Sequence, residues 1–329
     1  MRAMILAGGL STRLYPLTLD VPKPLVPVLD RPVVDHVIHY LASHGVDDII
    51  INVHYFADAI ESYIGDGSRW NVRMSYLREP ELMGSAGAVK QVESRFDSTF
   101  VVIGCDDVTD VDLRAALEFH AAREAEATIV LARVDVVSQY GAVIVEDDGR
   151  IVEFQEKPPP GTERSKLANT GIYIFEPSLL RRIPAHVFYD FGKQVFPEML
   201  ADGARFFGMQ QAAYWCDIGT PREYRRGHFD ALRGAVALRP RDGAVVRDGV
   251  LLGPGAVVDP SALVVAPSCI GAGSRIGANA VVERSVLWDG VVVEAGAVVR
   301  DAILGEGARV SSGSTVSGGE YGKAAVLTP

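Results

Sequence analysis

The chain has 329 residues, 48% of them hydrophobic and 22% charged, which is enough for two domains and typical of a globular protein, not of a fibre or a disordered chain. Its net charge of -10 argues against general binding to nucleic acid or to a membrane surface, although a few local cations still allow a small anionic ligand. The three cysteines are far apart, which fits a reducing compartment, and Met4–Ala7 is too short for a signal-peptide core. We therefore expect a cytoplasmic protein with neither nucleic acid nor a membrane as partner.

The first stretch of the chain combines a short apolar run with a glycine turn. Gly8 and Gly9 end the run, two hydroxyl residues and Arg13 follow, and Lys23 stands ten residues further on between two prolines. Glycine lets backbone N–H groups approach a ligand closely, and neighbouring cations attract an anion. The stretch therefore predicts a phosphate-binding loop. It has neither the spacing of a P-loop nor that of a dinucleotide fingerprint, so those two nucleotide sites are excluded.

Strand-like and helix-like segments then alternate over the first two thirds of the chain. A helix is predicted from Pro32 to Gly45, because the apolar residues between them fall on one helical face. Further helices are predicted near 86–92 and 113–122. The apolar runs that predict strands are Ile49–Val53, Phe100–Ile103, Ala127–Leu131 and Ile172–Phe175. This alternation predicts an α/β fold with a Rossmann-like, mostly parallel sheet, whose ligands bind at the carboxyl ends of the strands.

After about residue 234 the sequence acquires an internal period. An apolar residue recurs every six positions with small residues between, and a five-residue step separates one series of hexads from the next. The recurring positions are Leu252, Val258, Val264, Ile270, Ile276, Val282, Leu287, Val293, Val299, Leu304, Val310 and Val316. Hexads of this kind predict a left-handed parallel β-helix of about three to four coils. A β-sandwich would instead alternate with period two.

Several motifs in the first 230 residues occur in the order of one known family. Residues 6–14 and 22–25 resemble the Gly-Gly-x-Gly-Thr-Arg-Leu and Pro-Lys-Pro signature of the sugar-1-phosphate nucleotidyltransferases, with Ser11 in place of the third glycine. The further matching segments are Glu81–Gly87, Gly104–Asp106, Tyr140–Gly141, Glu156–Pro158, Asn169–Gly171 and Trp215–Pro221. The resemblance implies a nucleotidyltransferase type A fold. We expect a catalytic domain at 1–233, a linker at 234–244 and the β-helix, a known accessory in this family, at 245–329.

The resemblance also implies which residues bind each substrate. The nucleotide is expected at Leu6, Ala7, Gly8, Gly9, Ser11, Thr12, Arg13, Lys23, Glu81, Gly84 and Ser85. The sugar phosphate is expected at Gly141, Glu156, Lys157 and Asn169. A serine has less access to positive φ than a glycine, so we expect Ser11 to keep a conformation open to other residues and to offer its N–H or hydroxyl to phosphate.

The chemistry of nucleotidyl transfer assigns the catalytic roles. In-line displacement at the α-phosphorus needs positioning and charge neutralisation but no protein nucleophile. Arg13 and Lys23 would hold the triphosphate and the leaving pyrophosphate, and Lys157 would orient the attacking sugar phosphate. Asp106 and Asp217 are the expected Mg²⁺ ligands, because magnesium takes one or two carboxylates beside phosphate oxygens. Asp107 is the local rival of Asp106.

Within the family, Val21–Pro27 and Trp215–Pro221 look most similar to mannose-1-phosphate guanylyltransferases. The predicted reaction is therefore synthesis of GDP-mannose from GTP and mannose 1-phosphate. The alternatives are a glucose-1-phosphate thymidylyl- or uridylyltransferase, an enzyme acting on an unusual sugar or cyclitol phosphate, and a non-catalytic regulatory homologue. An acyltransferase activity of the β-helix is disfavoured, because no histidine follows Gly234 to act as a general base. The β-helix predicts self-association into a homo-oligomer.

Overall fold

The computed structural model describes all 329 residues, and the chain forms two compact units. The first, called the sheet unit, comprises Met1–Gly9 and Val37–Trp215. The second, called the β-helix unit, comprises Leu10–His36 and Cys216–Pro329. No helix in the protein has both the length and the apolar character needed to cross a membrane.

A nine-stranded mixed sheet forms the sheet unit. Its strands are β1 (Arg2–Leu6), β2 (Asp48–Val53), β3 (Arg73–Arg78), β4 (Phe100–Gly104), β5 (Ala127–Arg133), β6 (Gly141–Val145), β7 (Ile151–Glu156), β8 (Leu167–Phe175) and β9 (Phe206–Gln210). The strand order is β7-β6-β8-β4-β1-β2-β3, and β5 pairs with both β8 and β9. The four strands β4, β1, β2 and β3 are mutually parallel, as expected of a Rossmann-like half. Strand β8 runs antiparallel to β4, β5 and β6, which makes the sheet as a whole mixed.

Burial explains which strands could be predicted from sequence. Every residue of β2 is buried, and so are all but the last of β4, so these strands read as continuous apolar runs. Strands β3 and β7 are only partly buried and carry charged residues, and they gave no apolar run. All four predicted strands are confirmed, with β8 longer at its start than the predicted Ile172–Phe175.

Six α-helices accompany the strands. They are α1 (Val33–Ser43), α2 (Ala57–Ile64), α3 (Gly84–Gln91), α4 (Leu113–Ala122), α5 (Phe196–Ala201) and α6 (Pro221–Leu232). Helix α1 confirms the predicted start after Pro32, and α4 has the predicted bounds. Asp112 caps α4 by accepting the N–H of Ala115 at 3.0 Å, so this helix needs no contribution from Asp106. Thr220 caps α6 in the same way, with Pro221 in the first turn.

Three ladders of short parallel strands make up residues 250–327 of the β-helix unit. The first ladder aligns Val250–Leu252, Ser268–Ile270, Val286–Leu287, Ile303–Leu304 and Glu320–Tyr321. The second aligns Val257–Val258, Arg275–Ile276, Val292–Val293, Arg309–Val310 and Val326–Leu327. The third aligns Leu263–Val265, Val281–Glu283, Val298–Arg300 and Thr315–Ser317.

These ladders confirm the hexad register. Leu252, Ile270, Leu287 and Leu304 are successive rungs of one ladder, so each five-residue step shortens a coil by one residue without moving its apolar residue off the core. The small residues between the hexads have a steric reason. A Cβ on Gly277, for example, would lie 2.8 Å from the backbone nitrogen of Ala295 in the next coil. The arrangement is consistent with the predicted left-handed parallel β-helix.

Candidate active site

The glycine turn leaves the sheet at the carboxyl end of β1, the central parallel strand. Leu6 is the last residue of β1, and its carbonyl accepts the N–H of Cys105, which follows β4. The turn therefore starts at the sheet edge where ligands of parallel sheets bind. A Cβ on Gly8 would lie 2.8 Å from Asn52 Nδ2 and 3.1 Å from Glu79 Oε2, so this position has no room for a side chain. A Cβ on Gly9 would meet no atom within 4 Å.

A buried polar network explains why Gly8 is closed in. Asn52, near the end of β2, accepts the N–H of Ala7 at 2.8 Å and donates to Glu79 Oε2 at 2.5 Å. The other oxygen of Glu79 accepts the N–H of Met83 at 3.2 Å. Asn52 and Glu79 are both almost fully buried, so these bonds replace water that the polar groups no longer reach. The network joins the glycine turn to the segment that contains Glu81, Gly84 and Ser85.

That second segment is held from its other side by Asp190. The Ser85 hydroxyl donates to Asp190 Oδ2 and accepts the N–H of Phe191, both at 3.0 Å. Gly84 has a φ of +75°, and a Cβ there would collide with the carbonyl of Tyr189. Glu81 is exposed. Of the predicted nucleotide residues in this segment, Ser85 thus serves the local fold, and Glu81 presents its carboxylate to the surface.

Two consecutive aspartates follow β4 in different surroundings. Asp107 is buried and accepts the indole N–H of Trp215 at 2.8 Å. Asp106 is only half-buried. A Cβ on Gly104 would come within 2.8 Å of both carboxylates, so a glycine is needed for the two side chains to lie side by side. Asp107 is thus buried in a structural hydrogen bond while Asp106 is less buried, which favours Asp106 over its rival.

The four predicted sugar-phosphate residues come together at one edge of the sheet. Gly141 in β6 pairs directly with Glu156 in β7, and a Cβ on Gly141 would lie 3.3 Å from the Cβ of Asn169. Lys157 Nζ is 3.8 Å from Glu156 Oε1, and the lysine side chain is 63% exposed. Burial raises the pKa of Glu156, and Lys157 opposes that rise. The Asn169 amide donates to the Tyr173 hydroxyl at 2.9 Å.

In the β-helix unit, the conformation expected for Ser11 is wrong. Ser11 has φ 55° and ψ 36°, the left-handed conformation that glycine adopts most readily. The turn geometry of the glycine signature is therefore kept without the glycine. Ser11 precedes a 3₁₀ turn at Thr12–Leu14, and its carbonyl accepts the Leu14 N–H at 3.2 Å and the Thr18 hydroxyl at 2.9 Å. These two bonds hold the residue in a conformation that costs a serine about 1 kcal/mol.

Two of the predicted cations in this unit lie beside one carboxylate. Lys23 Nζ is 3.5 Å from Asp217 Oδ1, and Arg13 Nη2 is 4.0 Å from Asp217 Oδ2. Lys23 is 9% exposed and Arg13 54% exposed. A Cβ on Gly219 would come within 2.8 Å of both Arg13 Nη2 and Asp217 Oδ1, so this glycine makes room for the cluster. Arg13 and Lys23 bring two positive charges to this place, and cations gathered in this way attract an anion.

Sequence reasoning missed the residues that hold these groups in place. Asn52 could have been noticed, because it is the one polar residue in the predicted apolar strand Ile49–Val53. Glu79 could also have been noticed, because it stands directly before a proline. Asp190 and Gly192 belong to none of the motifs or strands predicted from the sequence, and a Cβ on Gly192 would lie 2.5 Å from Glu156 Oε2. No group of three or more His, Cys, Asp or Glu side chains is arranged to hold a metal ion. Of the two predicted metal ligands, Asp106 belongs to the sheet unit and Asp217 to the β-helix unit.

Comparison with known proteins gives two family matches in sequence order. Residues 2–233 match the family described as nucleotidyl transferase, and residues 246–327 match the GMPPB C-terminal domain. A UTP–glucose-1-phosphate uridylyltransferase of Synechocystis is 39% identical over 251 residues, which are 72% of this chain and 64% of that protein. A mannose-1-phosphate guanylyltransferase of Mycobacterium tuberculosis is 34% identical over 235 residues, which are 70% of this chain and 65% of that protein. The chain thus spans just under two thirds of the length of these curated relatives.

A solved structure agrees with the fold described above. HddC from Yersinia pseudotuberculosis aligns with a TM-score of 0.61 and 28% identity, over 69% of this chain and 97% of that one. A structure of HddC complexed with GMP-PN aligns with a TM-score of 0.60. The first family match covers well over half of the residues, and two relatives exceed 30% identity. The chain belongs to the nucleotidyl transferase family.

Proposed function

We propose that this protein transfers a nucleoside monophosphate from a nucleoside triphosphate to a sugar 1-phosphate and releases pyrophosphate. GTP and mannose 1-phosphate are the favoured substrates, and GDP-mannose the product. The observation that carries the reaction class is the position of Arg13 and Lys23 within 4.0 Å of the Asp217 carboxylate, beside a glycine that keeps the space open. A positive centre of this kind suits the triphosphate and the charge that develops on the leaving pyrophosphate.

The attacking group belongs to the sugar phosphate, so the protein's task is to orient it and neutralise charge. Lys157 extends into solvent from a backbone with φ 45°, next to the Glu156 carboxylate. We assign Lys157 to the sugar phosphate, and Glu156, Gly141 and Asn169 to the sugar hydroxyls. In the displacement, a phosphate oxygen of the sugar 1-phosphate forms a bond to the α-phosphorus while the α–β bridging P–O bond breaks. Arg13 and Lys23 bind the pyrophosphate that leaves.

We assign the nucleotide to the glycine turn and the segment after Glu79. Leu6 and Ala7 lead into Gly8 and Gly9. The backbone of Gly9 is open to a ligand, because a Cβ there would meet no atom within 4 Å. Ser11 and Thr12 continue the same turn towards Arg13. The remaining nucleotide residues that we assign are Glu81, Gly84 and Ser85.

Mg²⁺ is the proposed cofactor. Both proposed ligands, Asp106 and Asp217, are carboxylates, the ligand type that Mg²⁺ takes; Asp106 is half-buried, and Asp217 keeps long contacts of 3.5 and 4.0 Å with Lys23 and Arg13. Two carboxylates with phosphate oxygens are an ordinary ligand set for this ion. When bound, Mg²⁺ would neutralise the α-phosphate. The protein's own residues do the rest: they hold the two phosphate groups in line and keep their charges balanced.

We also propose a domain organisation, an oligomeric state and a cellular location for the protein. We assign residues 1–233 to catalysis, 234–244 to a linker and 245–329 to the β-helix. Exposed apolar side chains on the β-helix, such as Val257, Leu263 and Val326, support a homo-oligomer. The three cysteines are free and buried, which supports a cytoplasmic setting.

A second candidate is supported by the Synechocystis relative, which is the more similar of the two and is named as acting on UTP and glucose 1-phosphate. The GMPPB C-terminal match and the HddC complex with GMP-PN favour a guanine nucleotide instead. Pyrophosphate release with five nucleoside triphosphates, each against mannose, glucose and a cyclitol phosphate, tests the proposal. We expect the highest kcat/KM with GTP and mannose 1-phosphate. A highest value with UTP and glucose 1-phosphate would select the second candidate, and no release with any pair would leave a non-catalytic homologue.

The metal assignment has its own test in the two neighbouring aspartates. We expect Asp106→Asn to lower kcat by about two orders of magnitude, because it removes the negative charge proposed to bind the metal while keeping the size of the side chain. Asp107→Ala is the control, and we expect it to lower the melting temperature, since Asp107 accepts the Trp215 indole N–H and alanine has no acceptor to replace it. Full turnover of Asp106→Asn with magnesium present would rule out Asp106 as a ligand.

A further inference from the structure

We infer that the β-helix positions the proposed catalytic lysine, Lys23, through two chains of hydrogen bonds that meet at the carbonyl of Pro27. The inference rests on the proposed function of Lys23 and concerns how that residue is held. All groups involved belong to the β-helix unit. They connect two coils of the β-helix to helix α6, and α6 to the segment that carries Lys23. Trp288, Tyr224 and His228 are therefore positioning residues, not catalytic ones.

The first chain starts at Trp288, on the third coil. Its indole N–H donates to the Tyr224 hydroxyl oxygen at 2.9 Å, and the Tyr224 hydroxyl donates to the Pro27 carbonyl at 2.5 Å. Tyr224 is fully buried and Trp288 almost so. Burial raises the pKa of Tyr224 well above its ordinary value, so the hydroxyl keeps its proton and remains a donor. Because both side chains are buried, the Trp288 N–H depends on the Tyr224 hydroxyl for its hydrogen bond, and that hydroxyl in turn uses its own proton for the Pro27 carbonyl.

The second chain runs through His228, one helical turn after Tyr224. The Leu29 N–H donates to His228 Nδ1 at 3.1 Å, which leaves Nε2 as the protonated nitrogen, and Nε2 is 3.1 Å from the Pro27 carbonyl oxygen. Burial lowers the pKa of His228 to about 3, so the ring is neutral and has one donor and one acceptor. The thiol of Cys269, on the second coil, lies 3.3 Å from Nδ1. The Pro27 carbonyl thus receives two donors, one from each chain.

The segment between Lys23 and Pro27 is short and stiff enough to transmit this anchoring. Lys23–Leu25 is a 3₁₀ turn flanked and interrupted by prolines, and the Val26 N–H closes it by donating to the Lys23 carbonyl at 3.1 Å. Lys23 is 9% exposed and its Nζ lies 3.5 Å from Asp217. Two of the four residues from Pro24 to Pro27 are prolines with a fixed φ, and the Val26–Lys23 bond closes the turn, so few backbone torsions remain that could absorb a shift at Pro27 before it reaches Lys23.

A third tie holds the far end of the same segment. Asp30 accepts the Arg241 N–H at 2.8 Å, and the Arg241 guanidinium is 2.6 Å from Asp289 of the β-helix, the neighbour of Trp288. The segment is therefore anchored to the β-helix at Pro27 and at Asp30. A β-helix that served only for self-association would not need buried polar bonds to a segment two hundred residues earlier.

The test uses the full-length protein and the variant Trp288→Phe, which removes the indole N–H donor and keeps an aromatic ring at this position. We expect kcat to fall about five- to tenfold, the size of effect that a lost buried hydrogen bond has, with the KM for the sugar phosphate unchanged. Tyr224→Phe should lower kcat by a similar factor, and adding Trp288→Phe to it should lower kcat no further. Hydrogen exchange of the Val26 and Leu29 amides, both in the anchored segment, should be faster in Trp288→Phe than in the wild type.

Val293→Ala is the matched control, because Val293 is a buried residue of the β-helix core that belongs to neither chain. It should destabilise the β-helix while leaving kcat and the exchange of Val26 and Leu29 unchanged. Equal losses in Val293→Ala and Trp288→Phe, or additive losses in the double variant, would overturn the inference. If the wild type releases no pyrophosphate, the proposed function fails, and the exchange rates alone then decide: faster exchange confined to Trp288→Phe supports the anchoring, and unchanged exchange refutes it.

Discussion

The two ends of the loop from Gly8 to Lys23 are built in opposite ways. At the Gly8 end, in the sheet unit, the neighbouring polar groups are buried and bonded to one another, and no side chain fits above the glycine. At the other end, in the β-helix unit, a serine adopts a glycine-like conformation, and Arg13 and Lys23 keep long contacts with the Asp217 carboxylate. The first arrangement holds the backbone of the glycine turn in one conformation, and the second offers the positive charges of Arg13 and Lys23 to a ligand.

This difference separates two kinds of mutational effect. A change at the Gly8 end should alter stability and nucleotide binding together, because the same bonds serve both. A change of an exposed charge at the other end should alter turnover with little effect on folding. The predictions below test whether the two ends can be told apart in this way.

The largest effect is expected for Arg13→Ala. Removing a guanidinium that binds the leaving pyrophosphate should lower kcat by about two orders of magnitude or more. The melting temperature should stay within a degree or two of the wild type, because an exposed ion pair contributes little to stability. Steady-state kinetics and a thermal melt on the same preparation measure both. Arg13→Lys, which keeps the charge but loses the planar donors, should recover part of the rate. A loss of activity that is matched by a loss of stability would mean that Arg13 has a structural role and does not act by binding the pyrophosphate.

Gly8→Ala should damage both properties. Its methyl group would lie 2.8 Å from Asn52 Nδ2 and force the buried network apart, which we expect to lower the free energy of unfolding by about 1–3 kcal/mol. The KM for the nucleotide should rise as the turn moves. Denaturant unfolding and nucleotide titration measure the two effects. Gly9→Ala is the control, since its methyl group would meet no atom within 4 Å. Equal destabilisation by both variants would show that the network does not close the Gly8 position.

The anchor of the Lys23 segment predicts a pH dependence of stability. His228 has a folded pKa of about 3 against an ordinary value of 6.5, so between these values the unfolded chain binds a proton that the folded chain does not. Its contribution is complete above pH 6.5 and is lost as the pH falls towards 3, by about 1 kcal/mol per pH unit. His228→Gln should lack this part of the slope when unfolding is measured from pH 7 to 4.5. Identical slopes for the two proteins would mean that His228 titrates normally in the folded state.

The smallest effect is expected for Ser11→Gly. Glycine adopts the left-handed conformation without strain, so the variant should be more stable by up to about 1 kcal/mol, partly offset by the greater freedom of glycine in the unfolded chain. Nucleotide affinity should be unchanged or slightly higher. Thermal melts and nucleotide titration against the wild type measure both. A less stable variant would show that the serine side chain itself holds the turn.

The β-helix could be predicted almost residue by residue, while the mixed sheet and the site could be predicted only in part. A hexad repeat states the same packing rule twelve times, so Leu252 and Ile270 fall on one ladder from periodicity alone. The order of strands in the sheet and the burial of Asp107 depend on contacts such as that with Trp215, more than a hundred residues away. The supporting residue Asp190 acts through a hydrogen bond from Ser85, more than a hundred residues away, for which local sequence has no pattern. The low propensity of serine for positive φ predicts an ordinary conformation for Ser11, but the two hydrogen bonds to its carbonyl hold it in the left-handed one.

The central proposal, nucleotidyl transfer to a sugar 1-phosphate, has one direct measurement. GTP labelled on the α-phosphate is incubated with Mg²⁺ and mannose 1-phosphate, and the label is followed in the wild type and in Arg13→Ala. We expect the wild type to move the label into GDP-mannose with one pyrophosphate released for each product, and Arg13→Ala to do so about a hundredfold more slowly. Label that stays in GTP, or that appears in GMP or GDP independently of the sugar phosphate, would contradict the proposed reaction.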